Sequence, residues 1–171
     1  MNRNNLSQLI TRIILIVLVT LNLLAIFGFS SQTGDKSEKT SGQISHIVAD
    51  KVVEDYAEKA EDEKVEIRKR FDLKVRKTAH LIEYGTLGTL VFLLLLTWKW
   101  NLLLQYAASL LSVVLVAIVD EMLFQSLTDG RAALWQDVWI DTAGAAFCTA
   151  FVLLLVLLAR LVRLLTKRRS A

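Results

Sequence analysis

The sequence predicts an all-α fold: a bundle of four transmembrane helices with an extracytoplasmic amphipathic helix between the first and second. Three features predict it. Apolar residues make up 54% of the 171 and are gathered into runs, the distribution that separates membrane chains from soluble ones of similar content. No proline interrupts any run, so nothing removes a backbone donor from a helix interior. The short basic segments also fall on one side of a membrane if the chain crosses it four times. The length suits one unit, so residues 1–171 form a single membrane domain.

Residues 1–12 carry Arg3 and Arg12 and no acid. Residues 13–29 follow as the first apolar run. A basic start and an apolar core also describe a signal peptide, but this core is long and no small-x-small cleavage site stands clearly after it, which favours an uncleaved first span. Residues 30–45 are rich in serine, threonine and glycine and read as a loop. Across residues 44–73, Ile44, Ile47, Val48, Val52, Val53 and Tyr56 recur at helical spacing among nearly balanced acids and bases. That pattern fits an amphipathic helix on the membrane or over the bundle, and equally a solvated helical linker. Residues 30–76 are thus an extracytoplasmic loop and helix.

The second span covers residues 79–98. Trp98, Lys99, Trp100 and Asn101 make a tight turn, with tryptophans suited to the membrane interface. The third span covers residues 102–120 and the fourth residues 138–159. The tail, residues 160–171, carries Arg160, Arg163, Lys167, Arg168 and Arg169. Placing Arg3, Arg12, Lys99 and the tail inside puts both termini in the cytoplasm. The formal charge of +3 comes largely from that tail and points to an anionic membrane surface rather than to nucleic acid. The single cysteine, Cys148, excludes an intramolecular disulfide, and its apolar setting implies an inert buried thiol.

Antiparallel threading brings polar groups to one depth. His80 and Glu83 lie near the outer start of the second span. Asp120, Glu121 and Gln125 lie at the outer end of the third, and Asp137 and Asp141 at the outer start of the fourth. His80 and Glu83 are spaced i, i+3; Glu121 and Gln125, like Asp137 and Asp141, are spaced i, i+4. Each pair can therefore share a helix face. Asp120 and Glu121 cannot both point the same way on an α-helix, so one of them is expected to be structural or solvated. Ionisable groups are costly against lipid and belong in the bundle interior or a wet cavity. Singly, each has a simpler role: Asp137 at a helix N-terminus, Glu83 paired with Arg76 or Lys77, His80 at the interface. Arg131 follows a turn at Thr128, Asp129 and Gly130. With Arg76 and Lys77 it offers donors to a phosphate or carboxylate, or snorkels to lipid headgroups. Tyr84 adds a phenolic hydroxyl to the layer. Gly85, Gly88 and Gly144 allow the second and fourth helices to approach closely, and Trp135 with Trp139 suits an outer aromatic belt.

These residues resemble the VanZ-like family of integral membrane proteins. The likeness rests on Phe29-Ser30-Ser31-Gln32 after the first span and Lys77-x-x-His80-x-x-Glu83-Tyr84 entering the second. Asp120-Glu121-x-x-x-Gln125 ends the third, and Arg131 and Asp137-x-x-x-Asp141-x-x-Gly144 follow. It covers almost the whole chain, although the family often has Asn where Asp141 stands. The resemblance implies a small multipass protein of the bacterial cell membrane, and the family's named member is associated with low-level teicoplanin resistance.

Two functional readings stay open. In one, the layer binds or modulates a lipid-linked cell-wall precursor or a glycopeptide, with Lys77, Tyr84, Gln125, Arg131, Asp137 and Asp141 as ligand contacts. In the other, His80, Glu83, Asp120 and Glu121 are the acid–base groups or metal ligands of a membrane enzyme acting on a lipid-linked or cell-wall phosphate or glycan. The carboxylate-rich set would suit a divalent cation such as Mg²⁺ or Ca²⁺, and His80 leaves Zn²⁺ open. A transporter ranks behind both, since neither an inverted repeat nor a proline-broken helix is present.

Overall fold

The computed structural model describes residues 3–129 and 134–169. Five helices account for most of them: α1 (Arg3–Ser30), α2 (Gly34–Val52), α3 (Glu61–Leu95), α4 (Leu102–Val119) and α5 (Trp135–Arg169). A short 3₁₀ turn (Tyr56–Glu58) joins α2 to α3, and a π-helical turn (Asp120–Gln125) extends α4. Four helical stretches are long and apolar enough to cross a membrane: α1, α3, α4 with its π-turn, and the greater part of α5. The surface agrees with that reading. Leu21, Leu24, Leu111, Phe147, Phe151 and Leu164 are among many large apolar side chains left exposed, a continuous apolar surface unsuited to water and natural in lipid.

The bundle is fixed at both ends. At one end Asn101 caps α4 by accepting hydrogen bonds from the backbone N–H groups of Leu103 and Leu104, which satisfies donors that a helix start leaves free. Gln105 Nε2 donates to the Leu95 and Trp98 carbonyls at 2.9 Å each. Arg12 donates to Thr97 Oγ1 and to the Thr97 carbonyl at 3.0 and 2.9 Å, and its guanidinium lies 4.4 Å from the centre of the Trp98 ring. The turn between α3 and α4 falls at residues 96–98, slightly before the expected residues 98–101, and is tied to α1. At the other end Phe27 stacks on Phe124, with ring centres 4.6 Å apart, and the Gly34 N–H donates to the Asp129 carbonyl at 3.0 Å.

The pairing of α3 with α5 is the most extensive in the bundle. A side-chain carbon added at Gly144 would lie 2.6 Å from the Leu81 carbonyl oxygen, and one at Gly88 would lie 3.0 Å from Ala145 Cβ. Backbones this close need residues without side chains, the interface chemistry of helices in lipid. The small residues singled out in the sequence are where the two helices touch.

The structure differs from the sequence reading between the first two spans. Residues 34–52 are helical, where residues 30–45 read as a loop, and the segment over residues 44–73 is broken at residues 53–60. Asp55, with φ 54°, is the left-handed residue at the break, a conformation that Asp tolerates better than most residues. The face of α2 that packs on the bundle is its small-residue face. Ser37, Ser41, Ser45 and Ala49 are buried, whereas Ile44, Ile47 and Val52 are more than half exposed. Small residues spaced i, i+4 let α2 lie close, and Ser41 and Ser45 satisfy their hydroxyls by donating to the carbonyls of Ser37 and Ser41. Packing thus overrides a composition that otherwise signals a loop.

Two other boundaries move. α3 runs unbroken from Glu61 into the second span, and its acidic first turn (Glu61, Asp62, Glu63) complements the helix dipole. α5 begins at Trp135 and continues to Arg169, so the described part of the basic tail is helical rather than a separate extension.

Candidate functional site

The π-turn is the local feature that builds the site. On an α-helix the adjacent Asp120 and Glu121 would diverge by a wide angle. In the structure both are buried, at 0% and 1% exposure, so neither is solvated. The cause is the extra residue in the turn: the Ser126 N–H donates to the Glu121 carbonyl five residues back, at 3.1 Å. That widened spacing re-aims side chains, and such turns are frequent at functional positions.

Gln125 closes the turn. Its Nε2 donates to Glu121 Oε2 at 2.6 Å and to Asp120 Oδ2 at 3.2 Å, so one amide bridges the two carboxylates. Asp120 Oδ2 also accepts from Ser30 Oγ at 2.8 Å, and Glu121 Oε1 accepts from the Leu134 N–H at 2.5 Å. The C-terminus of α1, the end of α4 and the segment entering α5 therefore converge on one pair of acids. Burying carboxylates is costly unless their lone pairs are occupied; these bonds occupy Asp120 Oδ2 and both oxygens of Glu121, and none of them reaches the buried Asp120 Oδ1.

A second carboxylate meets the histidine. Asp141 on α5 is buried, and its Oδ1 lies 3.3 Å from His80 Nδ1 on α3. This is an ion-pair separation. His80 stacks nearly parallel on Tyr84, one turn along the same helix. The Tyr84 hydroxyl is buried and interacts with the Asp120 side chain, within the field of Asp141 and Glu83. Asp137 is half-buried near the start of α5 and interacts electrostatically with Glu121 and Asp141.

Above this layer lies a cleft of about 200 Å³ with three walls. The end of α1 contributes Phe29, Ser30 and Gln32. α2 contributes Ser37, Ser41 and Ile44, and α3 contributes Val75, Arg76, Ala79, His80 and Glu83. The α2 and α3 sets recur at three- and four-residue steps, so each is one helix face. Ser30 and His80 belong both to the cleft and to the buried layer, and they connect the cleft to Asp120 and Asp141 respectively.

The geometry thus joins His80, Glu83, Tyr84, Asp120, Glu121, Gln125 and Asp141 in one region, with Asp137 beside it. Lys77 is half-buried on α3 and is not part of the cleft wall. Arg131 and Gly130 lie outside the described residues. Among the described residues no three His, Cys, Asp or Glu side chains are grouped closely enough to hold a metal ion. Sequence reasoning missed Ser30, Ser37 and Ser41 as wall residues. Ser30 had a signal, being part of Phe29-Ser30-Ser31-Gln32; the other two had none, because they stood in a stretch that read as a loop.

Compared with known proteins, the chain matches a family model described as VanZ/LLP1 over residues 13–162. No curated protein and no solved structure matches it significantly.

Proposed function

Because the chain belongs to the VanZ/LLP1 family, we propose that it is a membrane protein of the bacterial cell envelope whose cleft binds or modulates a lipid-linked, cell-wall or glycopeptide ligand. The observation that supports this reading is the continuity between cleft and buried layer. Ser30 and His80 present polar atoms to the cleft while Asp120 and Asp141 hold them from behind. Binding sites of this kind combine a mostly apolar concavity with a few placed polar groups. With the bases Arg3, Arg12, Lys99 and those of the tail in the cytoplasm, the cleft opens on the outer side. Altered teicoplanin susceptibility is then the cellular readout to follow.

One observation favours a second reading, a membrane enzyme acting on a lipid-linked or cell-wall phosphate or glycan. His80 is partly exposed at the cleft and backed by the buried carboxylate of Asp141, the arrangement that orients a general base.

Native mass spectrometry of the detergent-purified protein separates the two. The binding reading expects a co-purifying lipid or glycopeptide of constant mass, diminished about tenfold or more in His80→Ala, in line with the loss of one charge-assisted contact, and less so in Glu121→Gln, which reaches the cleft only through Gln125, Asp120 and Ser30. A ligand whose mass changes on incubation, with the change abolished in His80→Ala, would establish the enzyme instead. Equal retention in both variants would remove this site from either role.

A further inference from the structure

We propose that the cleft takes an anionic amphiphile that enters from the bilayer, its phosphate or carboxylate at Arg76 and its hydrocarbon leaving past Phe29 and Ile44. The proposal rests on the binding reading above and names the chemical class of the ligand.

Arg76 is the positively charged side chain of the cleft wall. It lines the cleft, is only partly exposed and makes no ion pair with any described residue. A guanidinium set in a concavity offers a planar fork to a phosphate or carboxylate. The other charged group of the cleft wall, Glu83, sits seven residues further along α3, which is about 10 Å of helix rise. An anion at Arg76 therefore escapes its repulsion, and Glu83 and His80 face whatever polar part of the ligand lies deeper. The hydroxyl of Ser41 is already donated to the Ser37 carbonyl, so its oxygen has only acceptor capacity left for a ligand. The cleft thus favours an anion at one end and hydroxyl or amine donors beside it.

The mouth of the cleft is apolar. Phe29 and Ile44 line the cleft, yet they remain 48% and 51% exposed. Phe29 is also the last apolar residue of α1, whose Leu21 and Leu24 carry the exposed apolar surface onward. A volume near 200 Å³ is smaller than the ~300–1,000 Å³ that encloses a whole drug-sized ligand. It accommodates a head group and leaves acyl chains outside, against that surface. A water-soluble anion would use Arg76 but would leave the apolar mouth uncovered.

The test uses the full chain in detergent and three probes. Phosphatidic acid has both phosphate and chains, phosphatidylcholine has the chains without net charge, and glycerol 3-phosphate has the phosphate without chains. Binding is followed by native mass spectrometry and calorimetric titration on the unaltered protein, Arg76→Ala, Arg76→Lys and Ile44→Trp, each first shown to melt like the parent. The expected result is saturable binding of phosphatidic acid at one site, about tenfold or more tighter than phosphatidylcholine. Arg76→Ala should abolish that preference, Arg76→Lys should keep part of it, and Ile44→Trp should weaken binding by filling the mouth. Glycerol 3-phosphate binding as tightly as phosphatidic acid would overturn the bilayer route. Equal binding of the two lipids, unchanged in Arg76→Ala, would overturn the anion subsite. If such binding is still weakened by Ile44→Trp, the cleft remains a binding site and only the ligand class falls. If neither variant affects binding, the cleft reading falls with it.

Discussion

Replacing Gln125 with leucine is expected to destabilise the bundle by about 3–5 kcal/mol, the cost of removing one partner from a buried charged network. The side chain is buried, and its amide is the shared donor to Asp120 and Glu121. Leucine fills similar space and donates nothing, so both carboxylates lose a bond with no water at hand to replace it. Ser30 would still serve Asp120, and the Leu134 N–H would still serve Glu121, which keeps the loss below that of two bare charges. A double-mutant cycle isolates the cause. In an Asp120→Asn, Glu121→Gln background the acceptors are neutral, and the same Gln125→Leu change should cost about half as much, since bonds to charged groups are roughly twice as strong as neutral ones. Reversible unfolding in mixed detergent micelles measures all four species. Equal costs in the two backgrounds would mean that Gln125 acts by packing alone.

That network also marks how far the sequence could be read. The depth at which His80, Asp120, Glu121 and Asp141 meet was legible, because apolar runs of membrane length fix where each helix begins and ends, and antiparallel threading does the rest. The inward turn of both Asp120 and Glu121 was not legible. It depends on a hydrogen bond to the residue five positions back, and a pattern read at 3.6 residues per turn contains no sign of it. The serine face of α2 was hidden for a different reason. Serine is a loop former when solvated and a close-packing residue when buried, and only the presence of α3 beside it decides which. Where the sequence carried an explicit steric demand, as at Gly88 and Gly144, the pairing of α3 with α5 could be foreseen.

The largest effect expected from a single methyl group is at Gly144. An alanine Cβ there would lie 2.6 Å from the Leu81 carbonyl oxygen and 3.1 Å from Leu81 Cα, so the obstacle is backbone and α3 itself must move. Gly85 is a milder case: a Cβ there meets Cys148 Sγ at 2.7 Å, the end of a side chain that can rotate away, and the nearest backbone atom, the Gly144 carbonyl oxygen, lies further off at 3.3 Å. At Gly28 a Cβ meets nothing within 4 Å, and alanine should gain up to about 1 kcal/mol from helix propensity. The expected order of stability is therefore Gly28→Ala, then Gly85→Ala, then Gly144→Ala, with the last losing about 1–3 kcal/mol as an overpacked contact. The consequence extends to the site. Leu81 follows His80 directly, and Gly144 lies one turn beyond Asp141, so the contact that alanine breaks is the one that sets the 3.3 Å between His80 and Asp141. Gly144→Ala should weaken ligand retention as much as His80→Ala does, whereas Gly85→Ala should leave it near the parent value. Thermal melting and native mass spectrometry on the same preparations provide both readouts. A Gly144→Ala protein that melts and binds like its parent would mean that α3 and α5 stand further apart than the site geometry requires.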